Sequence, residues 1–205
     1  MASPDPEKIA RLRQALTEAE EGRGPAPLFD KEAEESKAKV RERALRLLDQ
    51  RARSRFELEK RLIDADFPES LVVAVVDELV DVNLVDDARF ASEWVRQRHQ
   101  RRGKSTRVLD LELKRKGVGE EDRREALSQI DQDDEESIAR KLAAKKARSV
   151  KAVPADRAER QKALRRIVGV LARRGFPEGM AMRISIEALD ARCEELSHED
   201  DGADQ

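Results

Sequence analysis

Leu109-Asp110-Leu111-Glu112-Leu113-Lys114-Arg115-Lys116-Gly117-Val118 is the stretch whose spacing decides the fold. Its landmarks are Leu109, Leu113 and Val118, at steps of four and then five residues. A step of four stays on one helical face, and Gly117 suits the left-handed conformation that ends a helix. The same spacing returns as Leu58, Leu62 and Phe67, and again as Ile167, Leu171 and Phe176. Just before each last member stands a pair carrying a charge: Ala65-Asp66, Lys116-Gly117, Arg174-Gly175. One helix-turn-helix unit is written three times. A repeated unit without a catalytic constellation points to a surface for something long, not to a pocket for chemistry.

Outward from these triples the units fill in. Val40, Ala44, Leu45, Leu47 and Leu48 give an apolar helix face, and ordered structure is expected from near Ser36. Ser54-Arg55-Phe56-Glu57 is a capping box that starts a second helix bearing Leu58, Leu62 and Ile63. Pro68 suits the first turn of a third helix, which buries Leu71, Val72, Val75, Val76 and Leu79. Asp86-Asp87 caps the next helix, where Phe90, Trp94 and Val95 share a face. Ser105 caps the helix of Val108, Leu109, Leu111 and Leu113, and a further helix carries Ala126, Leu127 and Ile130. Five acids between Asp131 and Glu136 favour another helix start, continued by Ile138, Leu142, Ala143 and Ala147. Leu164, Ile167, Val168 and Leu171 form the next helix. Pro177 opens the last, with Met182, Ile186 and Leu189 on its inner face. No segment alternates as a strand would.

The 205 residues include 42% charged and only 3% aromatic side chains, with no Tyr. Such a composition favours thin layers of amphipathic helices over one thick core. Net charge is −2, yet the charge is polarised. Residues 1–37 carry six basic and nine acidic side chains, and residues 194–205 carry six acidic ones and no Lys or Arg. The expected organisation is a mobile acidic tail over 1–37, three-helix repeats over 38–84, 85–131 and 132–192, and an acidic tail over 193–205. Ile9, Leu12 and Leu16 line a short helix face in the first tail, broken at Gly22-Arg23-Gly24-Pro25. The fold expected is all-α: three tandem helix-turn-helix-like repeats in an elongated, curved arrangement.

Chemistry is hard to place in this chain. Cys193 is the single cysteine, which excludes an internal disulfide and a cysteine-rich zinc site. Its neighbours Glu194 and Glu195 would raise a thiol pKa rather than activate it. Gly103-Lys104-Ser105 resembles the end of a phosphate-binding loop, but Arg98 stands where the first glycine is needed and no strand precedes it. His198 falls in the acidic tail, and His99 lies in a basic stretch as a surface or contact residue. The reading predicts no enzyme, no catalytic residue, no cofactor and no metal. No stretch is apolar enough to span a bilayer, and the N-terminus lacks the basic start and apolar run of a secretory signal. A soluble, cytoplasmic and, from its polar surface, monomeric protein is expected.

The strongest candidate surface is Arg96, Arg98, Arg101, Arg102, Lys104 and Arg107, six positive side chains in twelve residues without an acid. Arginine favours bidentate contact with carboxylate or phosphate, and Gly103 is expected to let backbone approach a partner closely. A second basic set in the third repeat includes Lys141, Lys145, Lys146, Lys162, Arg165, Arg166 and Arg173. Phe90 and Trp94 fit a core face better than a base-stacking platform.

Leu84-Val85-Asp86-Asp87-Ala88-Arg89-Phe90-Ala91, then Arg96 and Arg98, Arg101-Arg102-Gly103-Lys104, and Leu111-Glu112-Leu113-Lys114-Arg115-Lys116-Gly117-Val118 resemble in order the motifs of the RecX family. Ala44-Leu45-Arg46-Leu47-Leu48, Arg51-Ala52-Arg53-Ser54, Glu57-Leu58 and Leu62 resemble its first unit. The resemblance spans roughly residues 38–192. It implies an all-helical regulator of RecA recombinase. Such a protein binds in the groove of the RecA filament on single-stranded DNA and inhibits ATP hydrolysis, strand exchange and co-protease activity, by groove occupancy or blocked filament growth. Arg96, Arg98, Arg101, Arg102 and Lys104 become contact candidates, and Asp86, Asp87, Phe90 and Leu113 caps and core. The acidic tails depart from the family pattern, as do Asp64 and Asp66 in the first unit. The rival expectation is direct, largely electrostatic DNA binding by helix-turn-helix units.

Overall fold

A computed structural model describes residues 31–203. The expected helix face of Ile9, Leu12 and Leu16 lies outside them. Nine helices and no strand occur among the described residues: α1 (Lys31–Gln50), α2 (Arg55–Ile63), α3 (Glu69–Asp81), α4 (Asp87–Arg102), α5 (Thr106–Arg115), α6 (Glu120–Leu127), α7 (Gln132–Ala147), α8 (Arg157–Arg173) and α9 (Glu178–Ala203). They divide into two compact bodies. One holds residues 31–51 and 59–79; the other holds 52–58 and 80–203.

The four-then-five spacing is the imprint of one turn built three times. At the end of α2, Phe67 N–H donates to Leu62 O at 3.3 Å and Asp66 N–H to Ile63 O at 3.0 Å. After α5, Val118 N–H donates to Leu113 O at 3.2 Å and Gly117 N–H to Lys114 O at 3.0 Å. After α8, Phe176 N–H reaches Leu171 O at 3.3 Å and Gly175 N–H reaches Ala172 O at 2.9 Å. This pair of bonds defines the Schellman cap, which needs a left-handed residue and an apolar residue directly after it. Asp66, Gly117 and Gly175 supply the first, with φ of 63°, 74° and 84°. Phe67, Val118 and Phe176 supply the second.

In the first body, Val40, Ala44, Leu47, Leu62, Val72, Val75, Val76 and Leu79 are buried. Leu45 and Ile63 were expected on the apolar faces, yet both are exposed. Val residues on α3 fit a helix held by packing rather than by propensity. Helix α1 already includes Lys31, ahead of the expected start near Ser36. Glu32 and Glu34 occupy its first turn, where the helix dipole favours negative charge. Glu78 on α3 accepts from Lys37 at 3.4 Å and from Arg41 at 2.5 Å. Its carboxyl is held below the ordinary range, first by the Arg41 hydrogen bond.

The second body has two apolar clusters. Phe90, Ala91, Val95, Leu109, Leu113, Val118 and Ala126 form one, with Trp94, Leu127 and Ile130 packed against it. The other is lined with small residues: Ala139, Ala143, Ala147, Ala163 and Ala181 surround Ile167, Leu171, Phe176, Ile184 and Leu189. Here the expected register of α9 is corrected. Met182 and Ile186 are 40% and 37% exposed, and Ala181, Ile184 and Leu189 turn inward. An alanine-lined interface brings helix axes close and selects small side chains over large ones. Cys193 packs against the same cluster and Leu196 is buried, so α9 continues past residue 193. On α5, Leu109 and Leu113 are buried while Leu111 is exposed.

The starts of α2 and α5 share one construction within this body. Ser54 and Ser105 are wholly buried N-caps, accepting from Glu57 N–H at 3.2 Å and Val108 N–H at 3.4 Å. At the next residue, Arg55 N–H donates to Asp87 Oδ1, and Thr106 N–H donates to Glu135 Oε1, each at 2.8 Å. A carboxylate from the N-terminal end of a later helix thus completes each cap. The Schellman turns meet the same places. Ser54 Oγ donates to Lys116 O at 2.6 Å, and Ser105 N–H to Arg174 O at 3.0 Å. Burial pushes the Asp87 carboxyl up, against the pull of the Arg55 N–H bond.

Candidate partner-binding surfaces

The six cations between Arg96 and Arg107 do not form one free surface. Glu112 on α5 gathers part of them. It ion-pairs with Lys104, accepts from Trp94 Nε1 at 3.0 Å and stands 3.7 Å from Arg98 Nε. The Arg98 guanidinium also lies over the Trp94 ring at 3.6 Å, and Lys116 Nζ lies 4.1 Å from the same ring centre. Phe90 is buried, and its ring centre is 5.6 Å from that of Trp94. Cation–π stacking and the Glu112 pair make Arg98 and Lys104 part of the scaffold of α4 and α5. Arg96 is exposed and pairs with Glu93 at 2.7 Å. Arg101, Arg102 and Arg107 are exposed, and none has a carboxylate partner among the described residues.

Two expectations about this stretch are corrected. Gly103 does not offer its backbone to a partner, because it is buried. With φ of 57° it caps α4 in the left-handed conformation, and a Cβ there would lie 2.8 Å from Leu142 Cδ1. His99 is not a surface residue: it is 6% exposed. Its Nδ1 lies 2.9 Å from Lys104 O, so this nitrogen donates, since a carbonyl only accepts. The bond fastens α4 to the turn that follows it and so fixes the backbone that carries Arg101 and Arg102. Glu112 and the His99–Lys104 bond were missed by sequence reasoning. A carboxylate amid the cations of residues 104–116 was the available signal for the first.

On α7 to α9 two groups of cations stand out. Arg140 and Arg183 share Glu136 and Glu187, with Arg140–Glu136 at 2.6 Å, Arg140–Glu187 at 2.5 Å and Arg183–Glu136 at 2.8 Å. The hydrogen bonds from Arg183 and Arg140 hold the Glu136 carboxyl down to about 2. A depressed carboxyl stabilises the fold above its ordinary value near 4.5, and that contribution is lost as pH falls toward 2. Carbon-13 NMR titration is expected to show Glu136 ionised until pH approaches 2, and Arg183→Ala should move its midpoint back toward the ordinary range. A midpoint already ordinary in the parent protein would rule out the network in solution.

In the second set Lys146, Lys162, Arg165, Arg166 and Arg173 line a groove of about 430 Å³ with no acid among them. Three of the expected contact residues, Lys146, Arg165 and Arg166, are therefore brought together. Lys141 and Lys145 are exposed on α7 outside that groove. Among the described residues, no cluster of His, Cys, Asp and Glu could hold a metal ion, and no helix is long and apolar enough to cross a membrane.

Comparison with known proteins places this arrangement. Residues 41–79 match the model of the first three-helix domain of RecX, and residues 86–127 match that of the second. The regulatory protein RecX of Corynebacterium efficiens is 58% identical over 193 residues, 92% of this chain and 91% of its own length. The chain belongs to the RecX family. RecX of Streptomyces coelicolor is 39% identical over 154 residues, covering 75% of this chain and 79% of that protein. The crystal structure of RecX from Lactobacillus salivarius superposes with a TM-score of 0.64 at 25% identity, covering 77% of this chain and 98% of that one. The relatives bear the name of regulatory proteins, not of enzymes. In the RecX framework α1 to α3 and α4 to α6 carry the two recognised three-helix domains. The arginine run lies in the second of them.

Proposed function

We propose that this chain binds the RecA filament on single-stranded DNA and inhibits RecA's ATPase, strand-exchange and co-protease activities. Groove occupancy, blocked filament growth or both would produce the effect, and none of them needs chemistry from this chain. The observation that carries the reading is the trio Arg101, Arg102 and Arg107: three exposed guanidinium groups without carboxylate partners among the described residues. Two of them sit beside a turn fixed by Gly103 and His99. Arginines carried on a fixed backbone present planar forks suited to bidentate contact with carboxylates of a protein surface. Membership of the RecX family supports RecA as that protein.

We count α7 to α9 as a third three-helix unit, since the Leu171–Phe176 turn repeats the other two. A chain of such units meets successive protomers of a filament, and linked weak contacts gain from effective concentration. Occupation of the groove favours a filament geometry incompatible with turnover or with a second strand. In this reading the protein acts as a cytoplasmic monomer.

The test is single-stranded-DNA-dependent ATP hydrolysis by RecA from the same source, with this protein titrated in. Inhibition is the expected result, and inhibition well below one molecule per RecA favours blocked growth over simple occupancy. Undiminished hydrolysis, with the protein folded and RecA active, would remove the proposal.

A further inference from the structure

We infer that the groove between α7 and α8 binds the phosphodiester backbone of single-stranded DNA directly, separately from the protein contact assigned to Arg101, Arg102 and Arg107. The choice of single-stranded DNA rests on the proposed filament function; the binding itself does not require RecA. Lys146 comes from α7, and Lys162, Arg165, Arg166 and Arg173 come from α8. None of the five has a carboxylate partner among the described residues. On the same two helices Arg140 and Arg160 are ion-paired, while Lys141 and Lys145, which lie outside the groove, also lack a carboxylate partner among the described residues. Unpaired like charges three and four residues apart repel each other, so this row works against its own helix. An external polyanion is the partner that would relieve it.

Gly169 is the second observation. At 100° per residue it falls in the middle of the arc defined by Lys162, Arg165, Arg166 and Arg173. Proline aside, glycine is the poorest helix former, and no core packing demands it here. A Cβ at this position would meet only the Arg173 guanidinium, at 3.3 Å. The missing side chain leaves the centre of the cation row open to a close approach. Along the axis the row runs about 16 Å from Lys162 to Arg173, at 1.5 Å per residue. No aromatic side chain lines it. A backbone read through its phosphates, without stacking of bases, fits this lining.

The experiment uses the full chain without RecA and follows binding of a fluorescent oligo-dT by anisotropy across salt concentration. Each phosphate contact on a single strand contributes about 0.7 to the slope of log affinity against log salt. Lys162→Ala/Arg166→Ala should make the slope shallower by about 1.4, so that raising salt from about 50 to 200 mM costs this variant about sevenfold less affinity than the parent. Gly169→Gln leaves the charge unchanged and favours the helix, and it should still weaken binding. Arg101→Ala/Arg102→Ala should leave the slope as it was. Circular dichroism establishes that each variant is folded. No binding of oligo-dT by the parent overturns the inference, as does an unchanged slope in the groove variant, exclusive binding of duplex, or equal binding of an oligo-glutamate peptide. RecA ATPase inhibition, assayed in parallel, separates the two readings: retained inhibition with an unchanged slope removes the groove alone, and absent inhibition with the expected slopes removes the filament function alone.

Discussion

Gly117→Ala is expected to lower the stability of the second body by about 2–5 kcal/mol. Two effects add. A non-glycine residue in the left-handed region costs about 1–2 kcal/mol, and forcing an atom into a packed site costs about 1–3 kcal/mol. Gly117 has φ of 74°, and its new Cβ would lie 2.3 Å from Phe56 Cβ and 2.5 Å from Phe56 Cγ. Gly175→Ala is the same experiment one turn later, with Val108 Cγ2 at 2.2 Å. Urea unfolding followed by the fluorescence of Trp94, the single tryptophan, measures both. Asp66 provides the opposite arm. It holds the equivalent position with φ of 63° and its side chain is exposed, so Asp66→Gly should be neutral or stabilising by up to about 1 kcal/mol. A change within about 0.5 kcal/mol for Gly117→Ala would mean that this turn is not packed as described.

Arg101→Glu/Arg102→Glu is expected to weaken inhibition of RecA's ATPase by roughly thirtyfold or more, about 2 kcal/mol across the pair. The fold should survive, because both side chains are exposed and unpaired among the described residues, and surface changes of that kind stay within about 0.5 kcal/mol. Arg98 makes the contrast. Its guanidinium lies over Trp94 and near Glu112, so Arg98→Ala should perturb stability and Trp94 fluorescence together. Full inhibition by the folded double variant would take Arg101 and Arg102 out of the filament contact.

The helical class and the three turns were legible because a Schellman cap writes itself into sequence. It needs an apolar residue in the last helical turn, a left-handed residue four positions on and another apolar residue directly after. Leu113, Gly117 and Val118 satisfy that rule on their own, without help from distant residues. Ser54 and Ser105 were legible as caps for the same local reason. What escaped depends on residues far apart. Whether Arg98 and Lys104 are free or engaged turns on Glu112, and the inner face of α9 turns on how closely an alanine-lined helix approaches. Gly103 looked like an invitation to a ligand, because nothing nearby in sequence announces Leu142 against it. Charge count marked out the basic regions; only packing separated the cations already paired from those without a carboxylate partner among the described residues.

The two helix starts at Ser54 and Ser105 carry a consequence for biosynthesis. Each takes its finishing hydrogen bonds from residues translated later: Arg55 waits for Asp87 and Ser54 for Lys116, while Thr106 waits for Glu135 and Ser105 for Arg174. A nascent chain leaving the ribosome therefore completes these helices in order, each only after the following stretch has emerged. A product released before residue 116 keeps an open end at α2, and one released before residue 174 keeps an open end at α5. Unfinished molecules fray at defined places, and fraying is what a protease reads.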